Sequence, residues 1–321
     1  MEHGAKAQLI GSSGYPETRT QSKWRREWEK HKYLYLLLVP LIVFYIVFSY
    51  VPMYGIVLAF KEFDYSKGIL GSPWNAFQNF KDVWDNPDFM IAFRNTMLIS
   101  LGRLLFEFPV PILLAILLNE ISKGKMTRIF QTVFTFPHFI SWVVISGILV
   151  GIFSDQGLYN QILTVFGFEK RSVLTDGPSF TAILFLSNIW KEAGWSCILY
   201  LAAIAGINPE LYEAASVDGA NRFQQMKAIT WPIIRSTAAI LLILAVGNIM
   251  NGGFDQIFNL YNAAVYKYSD ILDTFVYRSA FTDSTGFGFS TTVGLLKSVI
   301  NFALLFGANY LVTRFGKEEG L

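Results

Sequence analysis

Ionisable and amide side chains interrupt the apolar segments of this chain. Such groups are costly in lipid, so they bind a solute or pair with one another. Two tryptophans lie among them, and planar hydrogen-bonding side chains beside aromatic faces are suited to binding sugars. The candidate solute-pathway residues are Trp190, Lys191, Glu192, Trp195, Asn248, Asn251, Asp255 and Lys297. We predict that most of these side chains line a pathway for a solute.

Ion pairing is an alternative explanation for the same charges. Lys191 could pair with Glu192 or with Asp255, and the pair would then only lock neighbouring helices together. Lys191 and Lys297 could instead meet the carboxylates of a uronate, which would favour an acidic oligosaccharide. The residue types alone leave these alternatives open.

Other polar or small residues in the apolar segments are predicted to be structural. Arg103 and Glu107 lie one helical turn apart and are expected to pair with each other. His138 follows a proline, and we favour a packing role over a proton relay. Gly252 and Gly253 predict a helix break, which lipid tolerates only where the backbone lines a cavity or packs against protein.

The residue patterns of common enzyme classes are missing. The chain has no H-E-x-x-H, no G-x-S-x-G and no G-x-x-x-x-G-K-[ST] motif. Its one cysteine, Cys197, excludes an intrachain disulfide and a Cys-based metal site. We therefore expect no catalytic residues, metal or cofactor on this chain. A membrane enzyme, such as an intramembrane hydrolase or a lipid-linked glycosyltransferase, is the rival from another class.

The elements that must position these residues are predicted to be membrane-spanning helices. Of the 321 residues, 53% are hydrophobic and 16% charged, against roughly 25% charged in soluble domains. The apolar residues fall in blocks of about 20, the length that crosses a bilayer. Six spans are predicted: 33–54, 96–118, 130–153, 180–206, 237–258 and 291–312. The fold class is thus an all-α polytopic membrane protein.

The distribution of Lys and Arg predicts the orientation of these spans. Basic residues are concentrated in the N-terminal segment and in the loops on its side, so both termini are expected in the cytoplasm. Residues 1–32 are interpreted as a tail with a basic amphipathic segment, 33–314 as the transmembrane domain and 315–321 as a second tail. The net charge of +2 gives no support for a nucleic-acid partner.

The long loop at about 207–236 contains signals for two short helices with a corner between them. Asn208 and Pro209 are typical of a helix start. Gly219 permits a backbone conformation or close approach that a side chain would block. A second helix over 221–229 is expected to stop before Pro232. Loops of this length are usually functional.

The loop has the pattern E-A-A-x3-G-x9-I-x-x-P. It resembles the EAA loop of permease subunits of bacterial ABC importers, in particular the carbohydrate group, although Trp231 replaces the usual Leu. Segments such as FRNTMLIS, FPHFISWVV and GGFDQIFNL are similar to the polysaccharide branch, which includes importers of alginate and rhamnogalacturonan. The residues assigned to ATPase coupling are Glu213, Ala214, Ala215, Asp218, Gly219, Arg222 and Pro232.

The resemblance implies the type I ABC importer permease architecture in a bacterial cell membrane. This chain would form half of the pathway for an oligosaccharide or polysaccharide fragment. The expected partners are a second permease subunit in a heterodimer, two copies of a cytoplasmic ATPase that bind ATP and Mg, an extracytoplasmic solute-binding protein, and membrane lipid. A homodimer stays open. A secondary transporter is disfavoured because inverted repeats are not evident.

Overall fold

The computed structural model describes residues 23–121, 124–282 and 286–315, in which the regular elements are helical apart from an isolated bridge between Lys61 and Trp74. The chain divides into a unit that ends at Gly55 and a unit that begins at Ile56. The described part of the first unit contains α1 (Lys23–Tyr45), a π-turn (Ile46–Tyr50) and α2 (Val51–Met53). The predicted tail of residues 1–22 lies outside the described residues, and 23–32 is the beginning of α1.

The second unit is a bundle of long and short helices. After a 3-10 segment (Tyr54–Phe60) come α3 (Gly68–Gly71), α4 (Gln78–Asp85), α5 (Pro87–Gly102), a π-turn (Arg103–Glu107), α6 (Pro109–Glu120), α7 (Lys125–Thr135) and a 3-10 segment (Phe136–Phe139). These are followed by α8 (Trp142–Phe153), α9 (Leu158–Val165), α10 (Gly177–Ala205), α11 (Pro209–Val217), α12 (Arg222–Gln225) and a π-turn (Met226–Thr230). The last elements are α13 (Trp231–Gly247), α14 (Phe254–Leu260), a 3-10 segment (Ala263–Val265), α15 (Tyr266–Ser269), α16 (Leu272–Phe281) and α17 (Gly286–Phe315).

The all-α membrane architecture expected from the sequence is confirmed. Five helical stretches within the described residues are long and apolar enough to cross a membrane: Lys30–Phe60, Pro87–Glu120, Trp142–Val165, Arg222–Gly247 and Gly286–Arg314. A sixth helix, α10, has 29 residues, about 43 Å of helix, and carries Lys191 and Glu192 near its middle. The six predicted spans therefore overlap helical stretches, with ends that differ by as many as 15 residues.

A π-turn precedes a proline by the same spacing in three of the long helical stretches. The turns end at Tyr50, Glu107 and Thr230, and prolines 52, 109 and 232 each follow two residues later. Proline lacks an N–H, and its ring would clash with the carbonyl four residues earlier in a straight α-helix. The wider turn moves that carbonyl aside, so the helix continues. The prediction that the second loop helix stops before Pro232 was therefore wrong.

Two predicted spans are interrupted in the structure. The continuous helix predicted over 130–153 was wrong: α7 ends at Thr135, and α8 begins only at Trp142, where the hydroxyl of Ser141 accepts a hydrogen bond from the N–H of Val144. The break predicted at Gly252 and Gly253 is confirmed, because α13 ends at Gly247 and Gly253 adopts a left-handed conformation with φ of 86°. The first break lies against α10, and the second follows α13, which packs against α10.

Helix α10 is the centre of the second unit and packs against α6, α7 and α13. One buried apolar cluster joins α6, α10 and α13 around Ala115, Tyr200 and Ile234. Close approach to α7 depends on Gly194, because a Cβ there would lie 2.0 Å from the carbonyl oxygen of Phe134. This packing places the polar middle of α10 against the break between α7 and α8 on one side and α5 and α6 on another.

Candidate functional site

The first candidate site is an elbow, which we define as residues 208–232. The side chain of Asn208 accepts a hydrogen bond from the N–H of Glu210 and so caps α11. At the end of α11 the N–H of Gly219 bonds to the carbonyl of Ser216, and that of Ala220 bonds to the carbonyl of Ala215. These two bonds form a Schellman motif, which requires the left-handed conformation that Gly219 adopts with φ of 80°.

The second arm of the elbow is fixed to the first by side chains. A capping box between Asn221 and Gln224 begins the helical stretch that leads through Pro232. The hydroxyls of Tyr212 and Thr230 lie 2.9 Å apart and join α11 to the π-turn. Arg222 contacts the carboxylate of Glu120 at 3.3 Å, which ties the elbow to the end of α6. The elbow is therefore a braced corner.

Most of the predicted coupling residues of the elbow are exposed. Glu213, Ala214, Asp218, Gly219, Arg222 and Pro232 are exposed, and Ala215 is half-buried. Two apolar side chains flank the corner: Val217 is 88% exposed and Phe223 is 70% exposed. A Cβ at Gly219 would meet no atom within 4 Å. Small residues, carboxylates and exposed apolar groups thus share a surface that could bind a partner protein.

The second candidate site is a cleft of about 450 Å³ within the helical bundle. It lies between the stretch from α5 to α6, helix α10 and the end of α13. Its polar lining consists of Ser100, Arg103, Glu107, Asn188, Glu192, Ser196, Asn248 and Asn251. The cleft thus combines carboxylates, amides and a guanidinium in the part of the chain predicted to lie in the membrane.

A polar network crosses the wall of this cleft. Arg103 donates to the side-chain oxygen of Gln256, and Gln256 donates to the carbonyl of Leu184 and the hydroxyl of Ser187 at 2.7 and 2.9 Å. Glu107 accepts a hydrogen bond from Asn188. The Arg103 Nε and a Glu107 oxygen are 3.7 Å apart without a hydrogen bond. The network joins the stretch from α5 to α6 to α10 and α14.

A second polar cluster holds the break between α7 and α8 against α10. The ring of His138 stacks on Trp195 with centroids 4.5 Å apart, and its Nδ1 lies 2.7 Å from a Glu192 oxygen. Lys191, buried in α10, donates to the carbonyl of His138 and lies 3.4 Å from Glu192. Lys191 is therefore satisfied by the backbone break and by its neighbour in sequence.

The structure distributes the predicted pathway residues over five places. Glu192, Asn248 and Asn251 lie in the cleft, and the amide of Asn251 donates to Asn248 at 3.1 Å. Lys191 and Trp195 belong to the His138 cluster. Trp190 lines a separate apolar groove with residues of α8. Asp255 is exposed on α14, and Lys297 pairs with Asp273 of α16. Among the ion pairs of the described residues, Lys191 joins Glu192 and none joins it to Asp255.

The cleft and the cluster around His138 contain residues that the sequence analysis had assigned otherwise. Arg103 and Glu107 were expected only to pair with each other, but they also contact Gln256 and Asn188. His138 was expected to pack, and it also bonds to Glu192. An ionisable residue inside a span is itself the signal that could have found them. Their partners could not be found from sequence, because they lie 54 to 153 residues away.

Helix α10 begins with a local cap outside the apolar part of the span. The Asp176 carboxylate accepts the N–H of Ser179 at 3.0 Å. Hydrogen bonds from the hydroxyl and then the backbone of Ser179 hold the pKa of Asp176 below its ordinary value. Among the described residues, no group of three or more His, Cys, Asp and Glu side chains is placed to bind a metal ion.

Comparison with known proteins gives consistent matches over most of the chain. Residues 107–317 match the family described as the binding-protein-dependent transport system inner membrane component. The chain is 42% identical to Protein LplB of Bacillus subtilis (strain 168), over 92% of this chain and 93% of that protein. It is 41% identical to the polygalacturonan/rhamnogalacturonan transport system permease protein YteP of the same strain, over 91% of each.

Solved structures of a bacterial alginate transporter share this fold. One is the crystal structure of a bacterial ABC transporter involved in the import of the acidic polysaccharide alginate. A chain of it matches with a TM-score of 0.84 and 36% identity, covering 92% of this chain and 99% of that one. Another holds the transporter in complex with an alginate pentasaccharide-bound periplasmic protein and matches with a TM-score of 0.84 and 35% identity, covering 94% and 100%.

Proposed function

This chain belongs to the family of inner membrane components of binding-protein-dependent transport systems, and from that premise we propose that it carries an acidic oligosaccharide. It is a multi-pass membrane protein and the permease subunit of an ABC-type importer, so it is not itself an enzyme. The observation that carries the proposal is the high identity, over nine tenths of the chain, to a polygalacturonan/rhamnogalacturonan permease. The likeness to the alginate importer supports it, because alginate is also acidic.

The elbow is the site at which a cytoplasmic ATPase docks. Its exposed carboxylates, the small residues at the corner and the two apolar flanks suit a groove on a partner. The bracing through Tyr212 and Arg222 supports this role, because a fixed corner transmits displacement to the helix that follows it. ATP and Mg are bound and ATP is hydrolysed by that partner, and the energy reaches this chain as a conformational bias.

The cleft is the solute pathway on this chain. Its amides and carboxylates offer hydrogen bonds to sugar hydroxyls, and the guanidinium of Arg103 offers a charge to a uronate carboxylate. Lys297 supplies a second cation outside the cleft, where it is held by Asp273. The residues proposed for the pathway within the cleft are Glu192, Asn248 and Asn251, with Lys191 and Trp195 beside it.

The assembly that we propose has two unlike permease subunits, two copies of the ATPase and an extracytoplasmic binding protein. The complex of the alginate transporter with its periplasmic protein supports the last of these partners. Both termini lie in the cytoplasm, in agreement with the basic residues of the N-terminal segment. This orientation puts the elbow on the cytoplasmic side and residues 56–86 on the outer side.

Affinity purification of this chain from its native membrane, with mass spectrometry of the associated proteins, tests the assembly. We expect an ATPase, a second permease and a binding protein. The binding protein is then screened against galacturonan, rhamnogalacturonan and neutral oligosaccharides. Recovery of the chain alone, even after crosslinking, would contradict the docking assignment, and a preference for neutral sugars would contradict the acidic cargo.

The acidic cargo predicts a selective effect at Lys297. We expect Lys297→Ala to reduce uptake of uronate oligosaccharides by roughly tenfold, the worth of a charge-assisted hydrogen bond, while uptake of neutral ones is retained. Asp273→Asn is the matched control, since it breaks the same ion pair and keeps the cation. Equal losses for uronates and neutral sugars would refute a role of Lys297 in charge recognition.

A further inference from the structure

A series of aromatic rings, which we call the aromatic track, runs through the second unit from α14 to the segment before α3. Its six rings belong to Phe254, Phe258, Tyr277, Phe281, Phe287 and Tyr65. Phe254 and Phe258 stack with centroids 5.0 Å apart, and Phe258 meets Tyr277 at 4.9 Å. The series continues from Tyr277 to Phe281 at 5.3 Å, then to Phe287 and Tyr65 at 5.8 Å each. These residues come from four segments of the chain.

The rings of the track remain accessible rather than filling a core. Tyr65 is 73% exposed, Phe281 70% and Tyr277 41%, and the other three are half-buried. The buried side of α16 is formed by other residues, among them Leu272 and Phe275, which belong to a core cluster. The track is therefore an open aromatic surface.

Charged and amide groups lie beside the rings of the track, which indicates that water reaches this surface. Asp273 lies one helical turn before Tyr277 on the same face of α16 and pairs with Lys297. Asp255 and Asn259 are exposed on α14, each directly after a ring of the track. Asp255 and Lys297 lie within the predicted spans 237–258 and 291–312, where ionisable groups face a bundle interior or a water-filled cavity rather than lipid. A purely lipid-facing belt would not explain this set.

One end of the track meets the cleft, and the other reaches the outer side. Phe254 directly follows Gly253, whose Cα packs against Arg103 of the cleft wall: a Cβ there would lie 2.3 Å from a guanidinium nitrogen. Tyr65 lies in residues 56–86, the segment that the proposed orientation places outside. The inner end of the track therefore follows directly on a residue that contacts the cleft wall.

We propose that the aromatic track is a binding site for the pyranose rings of an oligosaccharide, along which the chain of sugars passes from the outer face to the cleft. This inference rests on the proposed function. The C–H face of a pyranose is apolar and packs flat on an aromatic ring. Its hydroxyls need polar partners at the edge, which Asp255, Asn259 and water supply. Successive rings hold successive sugars, so the track favours longer oligosaccharides over short ones.

The test uses the whole transporter, with its ATPase, second permease and binding protein, in proteoliposomes. The probes are a galacturonan pentasaccharide and a galacturonan disaccharide. Tyr277→Leu and Phe281→Leu keep an apolar side chain but remove the flat ring. We expect each to lower the ratio of pentasaccharide to disaccharide uptake by roughly fivefold, the factor for one lost aromatic contact. ATPase stimulation by the unliganded binding protein is expected to be unchanged, which reports intact assembly.

Two control variants separate the ring from other effects. Tyr277→Phe keeps the ring and is expected to retain the uptake ratio. Phe306→Leu removes a ring of α17 that also belongs to an aromatic pair, since its centroid lies 4.5 Å from that of Phe302, and Phe306 is 58% exposed. Phe306 lies 19 residues, or about 28 Å, along the helix from Phe287 and so is not part of the track. We expect it to leave the ratio unchanged.

Two outcomes would overturn the track, and a third separates it from the acidic cargo. An unchanged ratio in both leucine variants, with normal uptake, would make the rings lipid contacts while the proposed function stands. An equal loss for both probes would show that the rings only support the fold. If the unmodified transporter imports neither probe but imports a neutral oligosaccharide, the acidic cargo fails, and the ratio is then measured with that neutral series, where an unchanged ratio again refutes the track.

Discussion

The elbow and the cleft are built from the same kinds of interaction but over very different distances along the chain. The corner of the elbow is closed by hydrogen bonds between residues 2 to 18 positions apart, from the Asn208 cap to the contact of Tyr212 with Thr230. The network of the cleft joins residues 81 and 153 positions apart. Local signals therefore specify the elbow, whereas the cleft exists only after the helices have packed.

This difference predicts that substitutions in the elbow leave the helices folded but disrupt the proposed docking surface. Gly219→Trp is expected to abolish coupled uptake while the helices remain folded, because the corner is open and the indole would occupy the docking surface. Uptake in proteoliposomes and circular dichroism measure the two effects. Gly219→Ala is the control, since it carries the same left-handed strain of about 1–2 kcal/mol with little bulk. Full uptake by the tryptophan variant would refute the assignment of the elbow.

The cleft is expected to show the opposite behaviour, in which a buried substitution destabilises the fold. Arg103→Met removes the cation beside Glu107 and the donor to Gln256. It should cost about 3–5 kcal/mol, the usual effect of removing half of a buried pair. Thermal unfolding in detergent measures it. In the double variant Arg103→Met with Glu107→Gln both charges are gone, so much of the loss should be recovered. Equal unfolding temperatures for the single and double variants would contradict the network.

A smaller effect is expected at the brace of the elbow. Tyr212→Phe removes one hydrogen bond to Thr230, whose side chain is buried, and should cost about 1 kcal/mol. Hydrogen exchange of the α11 amides and the midpoint of thermal unfolding report it. Tyr310→Phe, at an exposed position of α17, is the matched control. If α11 exchanges no faster in the Tyr212 variant, the hydrogen bond does not hold the arms of the elbow together.

The smallest effect is expected where α10, the main helix of the cleft, begins with a local cap. The pKa of Asp176 is lowered from an ordinary value of 3.8, so the cap contributes stability above that value and loses it as the pH falls through the lowered pKa. Hydrogen exchange at the start of α10, corrected for intrinsic rates, should therefore show the same protection at about pH 8 and pH 5. Loss of protection within this interval would contradict the lowered pKa.

Sequence patterns predicted the parts of the fold that local physics decides. The apolar blocks indicated the helices, Asn208 and Gly219 indicated the elbow, and Gly252 with Gly253 indicated the break after α13. Each of these signals acts within a few residues. The family resemblance then supplied the type of architecture, which the comparisons support over most of the chain, and the proposed role of the elbow.

The remainder could not be predicted because it depends on packing or on the geometry of a turn. Pro232 was expected to end a helix, but the five-residue π-turn that precedes it removes the clash. The span over 130–153 was expected to be continuous, yet His138 and Ile140 lie in a break that Lys191 and Glu192 of α10 hold. Trp190 and Lys297 have the same residue types as Trp195 and Lys191, and only the rotation of each helix decides where their side chains point.

Each π-turn changes the direction in which the side chains after it point, and therefore which neighbouring helices they contact. One extra residue is wound into each turn, and a residue subtends about 100° in an α-helix. Side chains of the stretch from Arg222 to Gly247 therefore point in two directions. The end of the π-turn points Thr230 at Tyr212 of α11, whereas the helix after it points Ile234 and Ala238 at α6 and α10. In the proposed coupling role, a displacement of the elbow would reach the helices packed against α13 in a direction set by this offset.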